Sequence, residues 1–356
     1  MFYIPAEKID SLFEVIGEKQ PLYLPADTTE GRADFKKWEK GVKLSSALKT
    51  VRSAKDFFFP KTEHLVSYEM HGKEIKVTDP RKDVEDFVIF GVRACDAVGF
   101  TVIDNVYLNM NPVDSYYKNR REHGTVITLA CSEPAKTCFC PTYGIDASLA
   151  NEKNGSKGDV SSWLCNGKFY FEANTEKGKA FIEKVKAVLT ESSAEDAKSV
   201  DAAKKDIQEK TEKLPFAHLD LSKFKGKDML KIFNSKIWEK VAEPCVGCGT
   251  CTYVCPTCMC FDVRDFDTGT GIRQVRCWDS CMYNDFTQMA AENPRHTQKE
   301  RSRQRFMHKL MYYPMAHEGL FSCVGCGRCL ESCPVNINIV KVIKMVQETD
   351  DIGGDK

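Results

Sequence analysis

The sequence predicts an α+β protein with more than one domain: an α/β domain comes first and a mostly helical domain follows. Three observations support this prediction. The chain has 356 residues, which is too long for one ordinary compact core. Two short apolar runs in the first half, at 84–92 and 124–130, have the composition of buried strands. The second half has apolar residues at helical spacing and two dense groups of cysteines.

The first predicted domain spans residues 1–190. Its two clearest strands each lead into a loop with cysteine, and 168–189 is typical of a strand, a turn and an amphipathic helix. The stretch 97–108 fits a helix and a strand equally well. Residues 191–225 are expected to be a solvated helix or charged linker, because they are rich in alanine and charge and poor in large apolar residues.

The second predicted domain spans residues 226–356 and begins with a helix that leads directly to Cys245. Residues 285–294, 299–315 and 335–348 are also expected to be helical.

Charge and hydropathy exclude several classes of protein. Lys plus Arg and Asp plus Glu number 51 each, so net charge does not indicate a nucleic-acid partner. No apolar run approaches the roughly 18 residues of a spanning helix. The first residues carry Glu7, Lys8 and Asp10 where a signal peptide needs an apolar core. We therefore expect a cytoplasmic protein without a transmembrane segment.

The chain contains 17 cysteines, and in a cytoplasmic protein metal ligation is a better expectation for them than disulfides. Cys165 stands apart from the others and is interpreted as an ordinary small apolar side chain.

The pattern C-x2-C-x2-C-x3-C-P occurs twice, with its first cysteines 78 residues apart. The cysteines are Cys245, Cys248, Cys251 and Cys255, then Cys323, Cys326, Cys329 and Cys333. This spacing is typical of paired [4Fe–4S] clusters, in which the fourth cysteine of each run ligates the other cluster. We refer to the resulting groups as set one (Cys245, Cys248, Cys251 and Cys333) and set two (Cys323, Cys326, Cys329 and Cys255).

Zinc is the alternative for these motifs. Zinc ribbons use two separated C-x2-C pairs for one ion, whereas each motif here supplies four cysteines in series before a proline. We therefore predict two [4Fe–4S] clusters. Because the 67 residues between Cys255 and Cys323 are expected to be mostly helical, the domain should be a helical ferredoxin-like one.

A second cysteine group follows the two predicted strands of the first domain, and we call it the edge group: Cys95, Cys131, Cys138 and Cys140. Adjacent strand ends place their loops side by side at the carboxyl edge of an α/β sheet. The edge group therefore predicts a third [4Fe–4S] cluster. The alternative is that Cys95 and Cys131 are buried core residues and the C-x-C is incidental.

Two further features are less specific. Cys258, Cys260, Cys277 and Cys281 fit no metal template, and we expect them to pack around the clusters and tune them. The basic run 295–309 is expected to be a solvated helix face; the sharper hypothesis is contact with an acidic partner or with the negatively charged clusters. No glycine-rich phosphate loop is present, so neither a nucleotide nor a flavin site is predicted in this chain.

The motifs over most of the chain resemble the family that contains the archaeal sulfhydrogenase β subunits and the corresponding subunit of the anaerobic sulfite reductase. The resemblance rests on GVRACD, YYKNRRE, TCFC, CPTCMCFDV, WDSC, NPRHTQKERSRQRFMHK and the two cysteine runs. It implies a C-terminal domain with two four-iron clusters. It also implies two partners: a flavin- and NAD(P)-binding subunit, and a catalytic redox subunit.

The first hypothesis is therefore an electron-transfer subunit that has no catalytic residues of its own and relays single electrons between those partners. The alternative is a self-contained reductase, in which the edge group binds and reduces a substrate. A third hypothesis is a redox-silent scaffold with zinc sites. Counting the cofactors distinguishes them.

Overall fold

The computed structural model describes residues 1–226 and 228–349, apart from the side chains of residues 82 and 83. The strands, in chain order, are β1 (Phe2–Pro5), β2 (Leu22–Asp27), β3 (Ala33–Lys37), β4 (Thr62–His71), β5 (Glu74–Thr78), β6 (Phe87–Val92), β7 (Gly124–Leu129), β8 (Val160–Cys165), β9 (Lys168–Ala173), β10 (Thr190–Glu191), β11 (Phe261–Asp267) and β12 (Gly271–Trp278). The α-helices are α1 (Ile9–Gly17), α2 (Ala94–Tyr107), α3 (Ser115–His123), α4 (Glu176–Val185), α5 (Ala194–Glu212), α6 (Met229–Asn234), α7 (Ile237–Ala242), α8 (Thr250–Tyr253), α9 (Gln298–Met307), α10 (Tyr313–Ala316), α11 (Arg328–Ser332) and α12 (Ile339–Glu348).

The chain divides into two compact units that are not continuous in sequence. The first unit comprises Met1–Phe58, Val84–Ala217 and Val324–Cys326. The second comprises Phe59–Asp83, His218–Cys323 and the chain from Gly327 onward. This division differs from the expected boundaries of 1–190, 191–225 and 226–356, because each unit takes a short segment from a distant part of the chain.

The first unit is built on an eight-stranded mixed sheet in the order β10-β1-β9-β8-β7-β6-β2-β3. Three adjacent pairs in this sheet are parallel: β2 with β6, β6 with β7, and β7 with β8. Every residue of β6 and β7 is buried, as expected for strands covered on both faces. The prediction of an α/β architecture in which these two runs are buried strands is confirmed.

Helices cover both faces of this sheet. Helices α1 and α4 place Phe13 and Phe181 in one apolar core. Helices α2 and α5 place Val98 and Val200 in another, with Trp163. The segment 97–108, which periodicity left open, is helical as part of α2.

The expected linker contains helix α5, which belongs to the first unit. A capping box formed by Ser193 and Asp196 begins this helix. Val200 and Ile207 are both buried and lie seven residues apart, about two helical turns, so a few apolar residues on one side suffice to dock it. Average composition hides such a narrow apolar stripe.

The second unit contains a four-stranded antiparallel sheet in the order β11-β12-β4-β5. The expectation of a mostly helical segment between the two motifs is wrong here, because β11 and β12 form a hairpin within it. Residues 285–294, expected to be helical, contain only a 3-10 turn at Asp285–Thr287. The pairing of β12 with β4 joins residues about two hundred positions apart, which no local pattern reveals.

The helices of the second unit pack beside its cysteine motifs. The helix expected before Cys245 is divided into α6 and α7. Trp238 of α7 stacks on Phe306 of α9, with ring centroids 6.5 Å apart. Helix α9 continues into a π-helical turn at His308–Tyr312, and such turns are frequent at functional sites.

No helix among residues 1–226 and 228–349 combines the length and the apolar character required to cross a membrane.

Candidate iron–sulfur centres

The two repeated cysteine motifs have the same local backbone. Helix α8 begins after Gly249, whose φ is +71°, and helix α11 begins after Gly327, whose φ is +76°. These left-handed conformations suit glycine because a side chain there would be strained. Helices α8 and α11 pack against each other. The repeat recognised in sequence is therefore also a structural repeat.

A small cavity joins the first motif to the end of the second. Its walls include four cysteines: Cys245, Cys248, Cys251 and Cys333. These are the members of set one. Gln298 Nε2 donates a hydrogen bond to Cys245 Sγ at 3.4 Å, and the Ile337 N–H donates to Cys333 Sγ at 3.2 Å. The sulfur atoms thus have donors around them, as expected for thiolates.

Two polar groups in the wall of this cavity lack hydrogen-bond partners. They are Ser302 Oγ and Arg305 Nε, from side chains whose residues are only 1% and 3% exposed. Leaving a buried donor unsatisfied costs about 1–3 kcal/mol. Sulfur atoms of a bound cluster are acceptors for such donors. The residues of this cavity therefore fit an iron–sulfur cluster.

Arg305 and Lys309 place two positive charges in the interior of the second unit. Lys309 Nζ donates to Thr257 Oγ1 at 2.8 Å and to the Ser322 carbonyl at 3.2 Å. Arg305 Nη2 donates to the Cys251 carbonyl at 3.4 Å. Both cations therefore bind uncharged oxygen atoms and face thiols. Buried charges require opposite charges nearby, and a cluster with four thiolate ligands carries negative charge.

The pKa values of these cations reflect the thiols around them. Burial alone would lower the pKa of Lys309, but the neighbouring Cys255, Cys258 and Cys323 raise it above its ordinary value. Burial also acts against the charged form of Arg305, and the neighbouring Cys251 and Cys329 raise its pKa. Each cation thus stabilises ionised sulfur, which is the form that binds metal.

Set two is distributed over both units. Cys255, Cys323 and Cys329 belong to the second unit, whereas Cys326 belongs to the first. A hydrogen bond from Cys258 lowers the pKa of Cys255 well below its ordinary value. Burial raises the pKa of Cys329, and the positive charge of Arg305 opposes that effect.

The remaining thiols of the second unit lie at the open end of the β11–β12 hairpin. The pKa of Cys281 lies well above its ordinary value. The main cause is a hydrogen bond with Cys260, and burial adds to it. Cys258 contacts the set-two residue Cys255. Cys277 lies on β12 opposite Asp262. The expectation that these thiols pack around the cluster ligands stays a prediction, and the structure brings Cys258 beside one of them.

The edge group of the first unit follows two adjacent parallel strands. Strand β6 ends at Val92 and β7 ends at Leu129, and the two are hydrogen-bonded neighbours. Between β6 and Cys95, Arg93 donates to the carbonyls of Leu129 at 3.2 Å and Ala130 at 2.8 Å. Cys95 lies in the first turn of helix α2 and not in a loop, and this guanidinium joins the start of that helix to the segment just before Cys131.

Three thiols of the edge group interact electrostatically. Burial and the neighbouring thiols Cys131 and Cys138 raise the pKa of Cys140 well above its ordinary value. Burial also raises the pKa of Cys131, and the positive charges of Arg93 and Lys49 oppose it. Cys95 packs against the same apolar cluster as Cys131 and Cys140. The half-buried Cys165 packs there too.

Cys326 is a neighbour of the edge group that sequence reasoning missed. It lies in the same buried cluster as Cys140, and the Phe139 N–H donates to the Gly325 carbonyl at 2.8 Å. Lys49 Nζ lies 4.0 Å from Cys138 Sγ and donates to the Cys326 carbonyl at 3.0 Å. A segment of the second motif therefore packs directly on the C-x-C of the first unit.

Other contributors had weak signals in the sequence or none. Lys49 lies in no recognisable motif. Ser302, Arg305 and Lys309 are spaced three and four residues apart in the basic run, and this spacing was the available sign of a common helix face. The expectation of a fully solvated face is therefore wrong for the two buried cations.

The assignment of ligands rests on spacing, on the cavity and on the contacts between thiols. Within residues 1–226 and 228–349, no three Cys, His, Asp or Glu side chains are grouped tightly enough to hold a single metal ion.

Comparison with known proteins gives two matches of different extent. The family described as "4Fe-4S dicluster domain" matches residues 244–337, which contain both motifs, so the predicted two-cluster domain is confirmed. The protein named Sulfhydrogenase 2 subunit beta, from Pyrococcus furiosus, is 35% identical over 269 residues, or 74% of each chain. No solved structure shows a significant match. The chain belongs to the family of this sulfhydrogenase β subunit, as its motifs indicated.

Proposed function

We propose that this chain is an iron–sulfur electron-transfer subunit of an oxidoreductase complex. In this proposal it relays single electrons between a flavin- and NAD(P)-binding subunit, on one side, and a catalytic redox subunit of the hydrogenase or sulfite-reductase type. The observation that carries the proposal is the set-one cavity, where four cysteines meet two unsatisfied donors, one of which belongs to the buried cation Arg305. Membership of a family named for a hydrogenase subunit supports assembly with other subunits.

The eight motif cysteines are proposed to hold two [4Fe–4S] clusters in the crossed pattern. The four cysteines of set one line a single cavity, which supports the grouping of Cys333 with the first motif. When bound, such clusters accept and release single electrons with little rearrangement. The chain contributes thiolates, sulfur-directed donors such as Gln298 Nε2, and the exclusion of water by side chains such as Phe306.

A third [4Fe–4S] cluster is proposed at the edge group. Arg93 joins the start of helix α2, which carries Cys95, to the end of β7, and the thiols of Cys131, Cys138 and Cys140 lie close enough to influence one another. The packing of Cys326 on Cys140 supports a short path from this cluster to the second motif. Close approach is what electron transfer between clusters requires.

The self-contained reductase is the less favoured function. A cavity of about 540 Å³ in the first unit is large enough for a small substrate. It is lined by Lys118, Asp159 and Lys177, among others, and lies near the start of β7. The edge-group cysteines follow the opposite end of that strand. None of the edge-group cysteines lines this cavity, so this substrate-sized space is separate from the thiols that would do the chemistry.

The proposal can be tested with the full chain, purified and loaded with iron under argon. NAD(P)H alone should leave its visible iron–sulfur absorbance unchanged, because the chain has no predicted nucleotide site. Adding a catalytic amount of a flavoprotein, such as ferredoxin–NADP⁺ reductase, should let NADPH bleach that absorbance. A chain carrying both Cys251→Ser and Cys329→Ser provides the control. Bleaching by NAD(P)H alone, or consumption of sulfite by the reduced chain alone, would establish the self-contained reductase instead.

A further inference from the structure

One face of helix α9 and the π-helical turn after it lies against the cysteine motifs. Ser302, Arg305 and Lys309 are three and then four residues apart, so they share a face and span about 10 Å along the helix axis. All three are almost completely buried, at 1%, 3% and 4% exposure. A serine and two cations thus form an inward-facing row in the basic run.

The three residues contact different thiols. Ser302 lines the cavity of set one. Lys309 interacts electrostatically with Cys255 and Cys323, which belong to set two. Arg305 lines the set-one cavity and also interacts electrostatically with Cys251 of set one and with Cys329 and Cys255 of set two. Arg305 is therefore the member of the row whose charge acts on cysteines of both sets.

We propose that Arg305 is a positioning residue shared by both clusters, and that its single positive charge sets their two reduction potentials together. This inference rests on the proposed function, because it requires both clusters to be present. Ser302 acts on the cluster of set one alone, through its hydroxyl, and Lys309 acts on the cluster of set two alone, through its charge.

The physical basis is the fixed charge of a buried guanidinium. Arginine stays protonated in proteins, so it neither gains nor loses a proton when one electron is added to each cluster. The added negative charge is stabilised by a nearby cation, and the low polarisability of the interior strengthens that attraction. Two electrons on neighbouring clusters repel each other, and a cation close to both offsets this repulsion. Removing the charge must therefore lower both potentials.

The unsatisfied Nε gives Arg305 a second role toward set one. Its Nη2 is bound to the Cys251 carbonyl, which orients the guanidinium and leaves Nε without a partner in the set-one wall. The side chain also packs over the Phe306 ring, with Cζ 4.6 Å from the ring centroid. These contacts hold the donor in place before a cluster binds, which limits the reorganisation on reduction.

The test is a potentiometric titration of the full chain with dithionite under argon, followed by EPR, after iron has been counted in each preparation. The variants are Arg305→Gln, Ser302→Ala and Lys309→Met. Lys299→Ala, an exposed cation on the same helix, is the matched control. We expect Arg305→Gln to lower both potentials of the second unit. Ser302→Ala should lower one of them and Lys309→Met should lower the other, while Lys299→Ala changes neither.

Each outcome decides the inference. If Arg305→Gln retains its iron and shifts one potential or none, Arg305 is not shared and the inference is wrong. If Arg305→Gln loses iron, Arg305→Lys is titrated instead. That variant keeps the charge and loses Nε, so the set-one potential should fall slightly while the set-two potential stays at its wild-type value. A comparable fall of both potentials despite the retained charge would overturn the inference. If the wild-type chain itself holds no iron, the proposed function fails, and this is known before any variant is compared.

Discussion

The two cysteine-rich regions of the molecule obtain their ligands in different ways. Each of the two repeated motifs brings three cysteines together within seven residues, around a turn that needs a left-handed glycine. In the first unit the edge group spans 46 residues, from Cys95 to Cys140, and depends on two parallel strands being neighbours. Local spacing specifies the first kind of site, whereas sheet topology specifies the second.

The regions also differ in their cations. Arg93 and Lys49 of the first unit lie partly at the surface and bind several carbonyl groups. Arg305 and Lys309 of the second unit are buried among thiols. The second region is therefore incomplete without an anionic group, and this is the stronger physical argument for a cluster.

The largest expected effect is the loss of both clusters of the second unit. A chain with Cys251→Ser and Cys329→Ser removes one thiolate from each set. It should contain about eight fewer irons than the wild type, since each cubane holds four. Iron and acid-labile sulfide per chain measure this loss. Cys165→Ser is the control and should change neither count, and a double variant with full iron would contradict the assignment.

The edge group should show half of that loss. Cys138→Ser removes a thiol from a group that is proposed to hold one cluster, so iron should fall by about four per chain. The loss should leave the EPR signals of the second unit in place. If the variant keeps all its iron, the edge-group cysteines are core residues that bind no cluster. The motif cysteines would then bind metal, and the edge group would only pack.

Two glycines at the same position of the two motifs test how tightly each motif is packed. Gly247 and Gly325 have φ values of +68° and +63°, so replacing either by alanine introduces backbone strain of about 1–2 kcal/mol. A Cβ on Gly325 would overlap the backbone carbon of Phe139, which has no room to move. A Cβ on Gly247 would meet only the flexible side chain of Gln298, at 3.1 Å.

Gly325→Ala should therefore lower the free energy of unfolding by about 1–3 kcal/mol more than Gly247→Ala, which is the usual cost of overpacking. Urea unfolding of the two loaded proteins under argon, followed by tryptophan fluorescence, measures the difference. Equal destabilisation would show that the second motif does not pack on Phe139 as described.

The smallest effect is expected on the outer side of the basic run. Lys299 forms an exposed ion pair with Glu239 at 3.5 Å, and such pairs contribute about 0–1 kcal/mol. Lys299→Ala should therefore change the free energy of unfolding by less than about 1 kcal/mol and leave the iron content unchanged. A loss of iron in this variant would mean that the whole run, and not only its inward face, supports the clusters.

The sequence predicted the parts of the molecule that depend on local pattern. Composition or spacing over a few residues is enough to predict strands β6 and β7, helix α4 and the repeated cysteine turn. The prediction from sequence was wrong where segments distant in the chain pair in one sheet. The β11–β12 hairpin is completed by β4, which lies before the first unit's central strands, and its exposed residues give little apolar alternation.

The same distinction applies to the candidate sites. Spacing alone identified the eight motif cysteines, and a general rule about strand ends identified the edge group. The packing of Cys326 on Cys140 and the position of Lys49 beside Cys138 could not be foreseen, because they depend on which unit a three-residue segment joins. The inward position of Arg305 and Lys309 was not expected, because the charge of the basic run indicated a solvated face.

The most direct test of the relay is the number of electrons that one chain accepts. The wild-type protein, loaded with iron and free of flavin, would be titrated with dithionite under argon while its visible absorbance is recorded. Three [4Fe–4S] clusters should take up about three electrons per chain, one for each. An uptake of about two would remove the cluster at the edge group, and a fully loaded chain that accepts none would contradict its role as an electron carrier.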